Sequence, residues 1–389
     1  MQMQWGRKHW QAIAAALCWA LVGCAIAGCS NVSASAQERL FSKYQLEFLD
    51  EYRLTDVPET VGGLSGIAFD PREGRYYAIS DDRSDRAPAR FYTLTATITP
   101  ENKFANVTVE SMTTLKDAAG QTVPPGRIDP EGIAVAPGGT LFIASEGGSS
   151  ADVSPFIAQF NRADGKFLQS LPLAPRYLPA EDGSTRGVQN NLGFESLTLE
   201  HGGRTALESD PYRVFAATEG ALVTDKLPPG ALGSTRVRLL HYLVGPIGAP
   251  MPISEHLYLL EPAPLGSIVY GLSELLAIPP AGHFLALERG FGLGGFSARL
   301  FEVVIANATD IRRVESLSGD LGQLVPVQKK PLLDFADLDL EIDNLEGMVL
   351  GPPLANGSQS LILLSDNNFS DRQVTQLLLF RLAEAPRAD

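Results

Sequence analysis

The chain has 389 residues, 44% hydrophobic and 20% charged, which excludes a disordered polymer and leaves room for one large domain. A formal net charge of −14 excludes a nucleic-acid binder, which needs an electropositive face for phosphates. It favours a site organised by a cation.

Residues 1–28 have the form of an export signal. Arg7 and Lys8 supply a positive start, and an apolar stretch runs from residue 10 to residue 28. Two sites resemble the bacterial lipobox: Leu21-Val22-Gly23-Cys24 and Ile26-Ala27-Gly28-Cys29. Cys29 is the preferred lipidation site because the chain turns polar directly after it (SNVSASAQ); Cys24 is the alternative. A transmembrane helix fits less well, since the stretch is alanine-rich and short for a span of ~20 residues. Cys18, Cys24 and Cys29 are the only cysteines, so the mature chain is expected to lack disulfides, thiolate metal sites and a cysteine nucleophile. Residues 29–42 read as a polar linker and 43–384 as the folded domain. The expected protein is a monomer of the bacterial envelope, periplasmic or outer-membrane associated, touching the membrane through its lipid only.

From residue 44 the chain reads as strands and turns. Residues 44–54 (YQLEFLDEYRL) form a first strand. Five similar segments follow: GLSGIAFDPREGRYYAISDD from Gly63, DPEGIAVAPGGTLFIASEGG from Asp129, GFESLTLEHGG with YRVFAATEGA from Gly193, GLSELLAIPPAGHFLALERG from Gly271, and DNLEGMVLGPP with QSLILLSDNN from Asp343. Each has a small or acidic start, an apolar strand, a turn, a second apolar strand and a polar end, which is the pattern of a β-hairpin. Runs such as 90–98, 107–115 and 237–244 read as outer strands, and 374–382 as a last strand. The repeats lie farther apart than the ~40 residues a four-stranded blade needs. The expected fold is therefore all-β: a single five-bladed β-propeller, closed by pairing the first strand with the last. The longest interval leaves room for a degenerate sixth blade. The acid-and-aliphatic run 333–345 allows a short helix or a strand.

These segments in this order resemble the phytase-like family known as "esterase-like activity of phytase", over residues 44–382. The resemblance implies a secreted or envelope propeller linked to phosphoester or ester hydrolysis, and carries no settled catalytic residue. The ring pattern is also similar to that of calcium-dependent five-bladed nucleotidases, in which Ser and Glu side chains converge on one calcium.

Aligning the repeats by residue type puts Ser65, Glu131, Glu195, Glu274 and Glu346 in one register, around the channel that inner blade strands line. Bare carboxylates in a confined ring raise one another's pKa, and a hard cation resolves this. Calcium suits an irregular all-oxygen cage better than magnesium or zinc. The alternative is that the glutamates accept hydrogen bonds from backbone N–H groups and brace the turns. A further acidic set, Asp81, Asp82, Glu146, Glu219, Glu288 and Asp366 with Asn367, ends the second strands and is expected on the same face, one shell outward. Arg83, Arg289 and Arg372, with Arg90 nearby, are candidates for holding a phosphate. The other histidines after the leader (His201, His241, His256, His283) fall outside the repeat motif and read as surface or satisfied residues. There is no G-x-S-x-G elbow. The expectation is an envelope-anchored, calcium-dependent phosphoesterase acting on a small phosphoester. The alternatives are a non-catalytic propeller with a structural calcium, and a metal-dependent esterase or lactonase.

Overall fold

A computed structural model of the chain describes residues 40–384 except 56, 148–152, 181–185, 202–206, 208 and 229–230. Residues 1–28, expected to be an export signal, and Cys24 and Cys29, the expected lipidation candidates, lie outside the described residues. The chain divides at Ser42/Lys43, and the unit from Lys43 onward holds every strand.

That unit is a five-bladed propeller of five four-stranded antiparallel sheets. The innermost strands are Leu64–Asp70, Pro130–Ala136, Phe194–Glu200, Ser267–Ile278 and Asn344–Pro353, one for each of blades 1 to 5. Each neighbours the next around the ring, and blade 5 returns to blade 1. Apart from strands, the described residues form only short 3-10 turns. The stretch around Phe335–Asp337 is one of these, so the run 333–345 holds a single turn between two strands. Among the described residues no sixth blade occupies the interval before blade 4. Its extra length lies in the loops and the outer pair Arg236–Val244 and Met251–Leu259.

The closure is that expected from the sequence. Tyr44–Arg53 pairs antiparallel with Gln376–Glu384 and becomes the outermost strand of blade 5. This strand carries its alternation openly: Leu46 and Phe48 pack inward while Gln45 and Glu47 face solvent.

A separate apolar core fills each gap between neighbouring blades. Phe142 of blade 2 and Phe194 of blade 3 share one, and Phe215 of blade 3 and Phe284 of blade 4 share another, with ring centroids 4.7 Å apart. All four rings are fully buried, which stabilises the fold by about 1.5–3 kcal/mol each. These packed gaps hold the inner strands in a fixed ring.

A β-bulge interrupts every inner hairpin at the same level. It falls between Leu64 and Gly66, Pro130 and Ile133, Phe194 and Ser196, Leu272 and Glu274, and Leu345 and Gly347. A bulge inserts one unpaired residue and re-aims its side chain. The residues so displaced are Ser65, Glu131 with Gly132, Glu195, Ser273 and Glu346.

Candidate functional site

The bulges assign the repeat positions differently from residue type. In blade 4 the displaced residue is Ser273, not Glu274. Glu274 stands where blades 1, 2 and 5 have Gly66, Gly132 and Gly347, and its Oε1 accepts the backbone N–H groups of Leu197 and Leu275. It braces blades 3 and 4 and does not line the channel cavity, as the bracing alternative anticipated for this one glutamate. Ser65 is displaced as expected, but its hydroxyl donates to the Glu131 carbonyl at 3.0 Å and is likewise absent from the cavity wall.

The second strands show the same shift. Leu64, Pro130, Phe194, Leu272 and Leu345 face Ser80, Ser145, Thr218, Glu288 and Ser365. The next residues are therefore equivalent: Asp81, Glu146, Glu219, Arg289 and Asp366. Glu288 is thereby moved out of the acidic set. Its carboxylate accepts from Tyr258 and Tyr270 hydroxyls and from Lys329 Nζ, away from the cavity. Blade 4 contributes an arginine where the other blades contribute an acid.

The cavity at this end of the channel measures about 1110 Å³. Glu131, Glu195, Glu346, Asp81, Glu146, Glu219 and Asp366 line it, with Asp129 and Arg289. Ligand atoms of Asp129, Glu131 and Glu146 lie within 4.8 Å of one another, and so do those of Glu146, Glu195 and Glu219. Glu146 belongs to both groups. Asp129 was not singled out by residue type. It precedes its inner strand where blades 3 and 4 have Gly193 and Gly271, and that equivalence was its available signal. A Cβ on Gly193 would lie 2.6 Å from Glu146 Cγ, and one on Gly271 2.3 Å from Glu219 Cγ. Glycine there lets each acid fold over the next blade's first strand.

The electrostatics follow from this crowding. Burial, then the charge of Asp129, pushes Glu146 up to about 9. Burial also raises Glu131 and Glu195 well above the carboxylate range, with Glu195 and Glu219 respectively as their strongest charged neighbours. Asp81 and Glu346 rise to about 7, chiefly through burial, and Arg289 partly offsets the rise of Glu346. Arg289 donates to Glu346 Oε1 at 2.6 Å and stands 3.7 Å from Glu219 Oε1. Burial works against its charge, but Glu346 and Glu219 hold the guanidinium protonated. Glu219 Oε1 is buried without a hydrogen-bond partner. The blade 4–5 side of the cavity is thus neutralised by Arg289, while the blade 2–3 side keeps an acidic excess.

Other expected site residues build the walls. Asp82 accepts the N–H groups of Asp85, Arg86 and Ala87 and pairs with buried Arg90 at 2.7 Å, so both serve the loop after blade 1's second strand. Asn367 Oδ1 accepts from Gly63 N–H and Phe369 N–H and sets the turn carrying Phe369. Arg83 reaches over the rim to pair with Asp129 at 2.5 Å. Arg372 is exposed at the rim and, among the described residues, its guanidinium has no ion-pair partner. Arg86 lies 4.6 Å above the Phe369 ring, and Phe291 and Phe296 stand on blade 4's side of the opening. Residue type gave no signal for this aromatic rim, because the loops bearing it lie outside the repeat.

All lining carboxylates are oxygen donors, and among the described residues neither histidine nor cysteine lines the cavity. The residues present therefore fit a hard cation of the calcium type on the blade 2–3 side. They do not fit an ion held symmetrically by one residue per blade.

Fold and cavity together define a five-bladed propeller with an acidic channel mouth. The chain belongs to the Phytase-like family described as "Esterase-like activity of phytase", which matches residues 59–369. No curated relative matches it. Among solved structures it is similar to the Bombyx mori GH32 β-fructofuranosidase BmSUC1 at 12% identity, covering 91% of this chain and 67% of that one, with a TM-score of 0.39. The catalytic domain of the Coprinopsis cinerea GH62 α-L-arabinofuranosidase is similar at 9% identity, over 89% and 99% of the two chains, with a TM-score of 0.41. The major Malassezia sympodialis allergen Mala s 1 is similar at 11%, over 86% and 98%, at 0.40. Likeness at this level bears on neither substrate nor site.

Proposed function

We propose that this protein is a calcium-dependent phosphoesterase acting in the channel cavity. The observation that carries the reading is the pair of carboxylate groups sharing Glu146, whose ligand atoms lie within 4.8 Å in each group. Asp129, Glu131, Glu146, Glu195 and Glu219 would hold the ion. When bound, it would polarise a phosphoryl oxygen and lower the pKa of a coordinated water. The chain's own groups then have separate tasks. Arg372 and Arg86 at the rim supply cations for an entering phosphate, and among the described residues Arg372 has no competing acid partner. Arg289 fixes Glu346 on the far wall and partly offsets the rise of its pKa. Phe369, Phe291 and Phe296 narrow the mouth against bulk water.

The export reading joins this proposal: cleavage before Cys29, with Cys24 as the alternative, would leave a lipid-anchored envelope enzyme supplied with external calcium and small phosphoesters.

The test is a phosphate-release screen on the purified mature protein with nitrophenyl phosphate, nucleotides and phytate, with calcium or with a chelator. Calcium-dependent release that falls about 100-fold or more in Glu219→Gln supports the reading. No release under any metal, with a melting temperature that still drops on chelation, would leave a non-catalytic propeller with a structural ion. Metal-dependent turnover of nitrophenyl acetate or a lactone alone would move the chemistry to carbonyl esters.

A further inference from the structure

The outer strands of blade 3 hold a second constellation, remote from the repeat motif. His241 and Ser254 face each other across Arg236–Val244 and Met251–Leu259, and His256 follows two residues on. His241 Nδ1 lies 2.9 Å from Ser254 Oγ, which lies 2.9 Å from His256 Nε2. His256 Nδ1 in turn lies 3.3 Å from the Thr309 carbonyl.

This chain of contacts fixes the protons. A carbonyl only accepts, so His256 Nδ1 carries the hydrogen and Nε2 presents its lone pair. The Ser254 hydroxyl then donates to His256 Nε2. With that hydrogen used, Ser254 Oγ accepts from His241 Nδ1–H, which leaves His241 Nε2 as a bare lone pair. That nitrogen is buried and has no partner. The His241 ring is stacked on Phe215 at 4.4 Å and cannot swing to find one without losing the stack. Burial holds both imidazoles below the usual histidine range, His241 at about 4, so both are neutral at physiological pH.

Ser254 is only partly buried and opens onto a cavity of about 280 Å³. Its walls include Leu173, Ala174, Pro252 and Tyr242. Arg176 also lines it, and its Nε is a buried donor without a partner. A hydroxyl donating to an imidazole whose other nitrogen is anchored is the arrangement of an activated nucleophile.

We propose that Ser254 is the nucleophile of a second, metal-independent site that hydrolyses esters of short apolar carboxylic acids, with His256 as its base. Ser254 Oγ forms a bond to the ester carbonyl carbon while its proton passes to His256 Nε2. The carbonyl–alkoxide bond then breaks, and the leaving alcohol takes that proton, giving an acyl-serine. Water attacks the acyl-serine, His256 accepts its proton and returns it to Ser254 Oγ, and the carboxylic acid departs. Arg176 and Arg312 line the cavity and supply positive charge toward a substrate oxygen. The apolar wall and the small volume limit the acyl group to a few carbons.

The test uses the purified mature protein in excess chelator, so that the channel cavity is inactive. An alkyl fluorophosphonate is expected to modify Ser254, located by peptide mass, with labelling absent in Ser254→Ala and about 100-fold slower in His256→Gln. Nitrophenyl butyrate turnover in chelator should be lost in Ser254→Ala. As a control on folding, Ser254→Cys places a thiol in a domain that otherwise has none; its alkylation at neutral pH should outrun that of free cysteine and slow when His256→Gln is added. Absence of label, label elsewhere, turnover that survives Ser254→Ala, or ordinary thiol reactivity would each overturn the proposal.

Discussion

Glu146 concentrates the conflict in the channel. It belongs to both carboxylate groups, shares a proton with Asp129, and accepts the Gly193 N–H at 2.9 Å. Glutamine keeps that acceptor and is neutral without taking up a proton. In calcium-free buffer at pH 8, where folding otherwise requires Glu146 to bind a proton that the unfolded chain lacks, Glu146→Gln is therefore expected to raise the melting temperature by about 2–4 °C for each kcal/mol of that cost. With calcium the sign reverses, because a ligand is gone, and calorimetric affinity should fall by about 10–100-fold or more. Glu274→Gln provides the contrast: its side chain accepts from Leu197 and Leu275, so calcium affinity should not change. A loss of affinity in Glu274→Gln equal to that in Glu146→Gln would contradict the bulge register.

Blade 4 is the element that breaks the repeat. Its text, Leu272-Ser273-Glu274 and Glu288-Arg289, invites alignment on the glutamates. The bulge decides otherwise, because one residue of slip exchanges the two faces of a strand. Hairpins, turns and the five-fold count were legible because period-2 apolarity and glycine turns are local properties. The bulge position was not, since it is set by pairing with the neighbouring strand and by packing against the adjacent blade. Arg289 is the consequence of that slip, and it holds Glu346 and Glu219 together. Removing one partner of a buried ion pair costs about 3–5 kcal/mol. Arg289→Met should therefore destabilise the calcium-free protein by that order in urea unfolding, and calcium should recover part of the loss. Blade 3 carries a comparable pair away from the channel, with Arg238 between Asp225 at 2.5 Å and Glu255 at 2.6 Å, all buried. Arg238→Ala should cost the same order, and calcium should restore none of it.

Across the whole molecule, the cavity acids set how stability follows pH. Glu146, Glu346 and Asp81 have folded pKa values above their ordinary 4.5 or 3.8. The folded state therefore holds their protons more tightly; that contribution is complete only below their ordinary values of 3.8 and 4.5, and is lost as pH rises from there through about 7 and then about 9. The melting temperature of the calcium-free protein should fall from pH 5 to pH 9, and the increment from calcium should grow over the same range as protons stop competing. A flat profile without calcium would mean that the acids are already neutralised from within the chain. The ring closure was legible in residues 44–54 and 374–382, because each is a strand the five hairpins do not use. That closure also imposes an order in time. Glu51 and Gln376, hydrogen-bonded at 2.9 Å, are 325 residues apart. At ~5–20 residues per second of synthesis, the first strand of the domain waits roughly 15–60 s for its partner. Until then blade 5 does not exist, and blade 1 lacks the neighbour that covers Ile67 and Tyr76. The nascent chain thus stays unclosed until its last strand emerges.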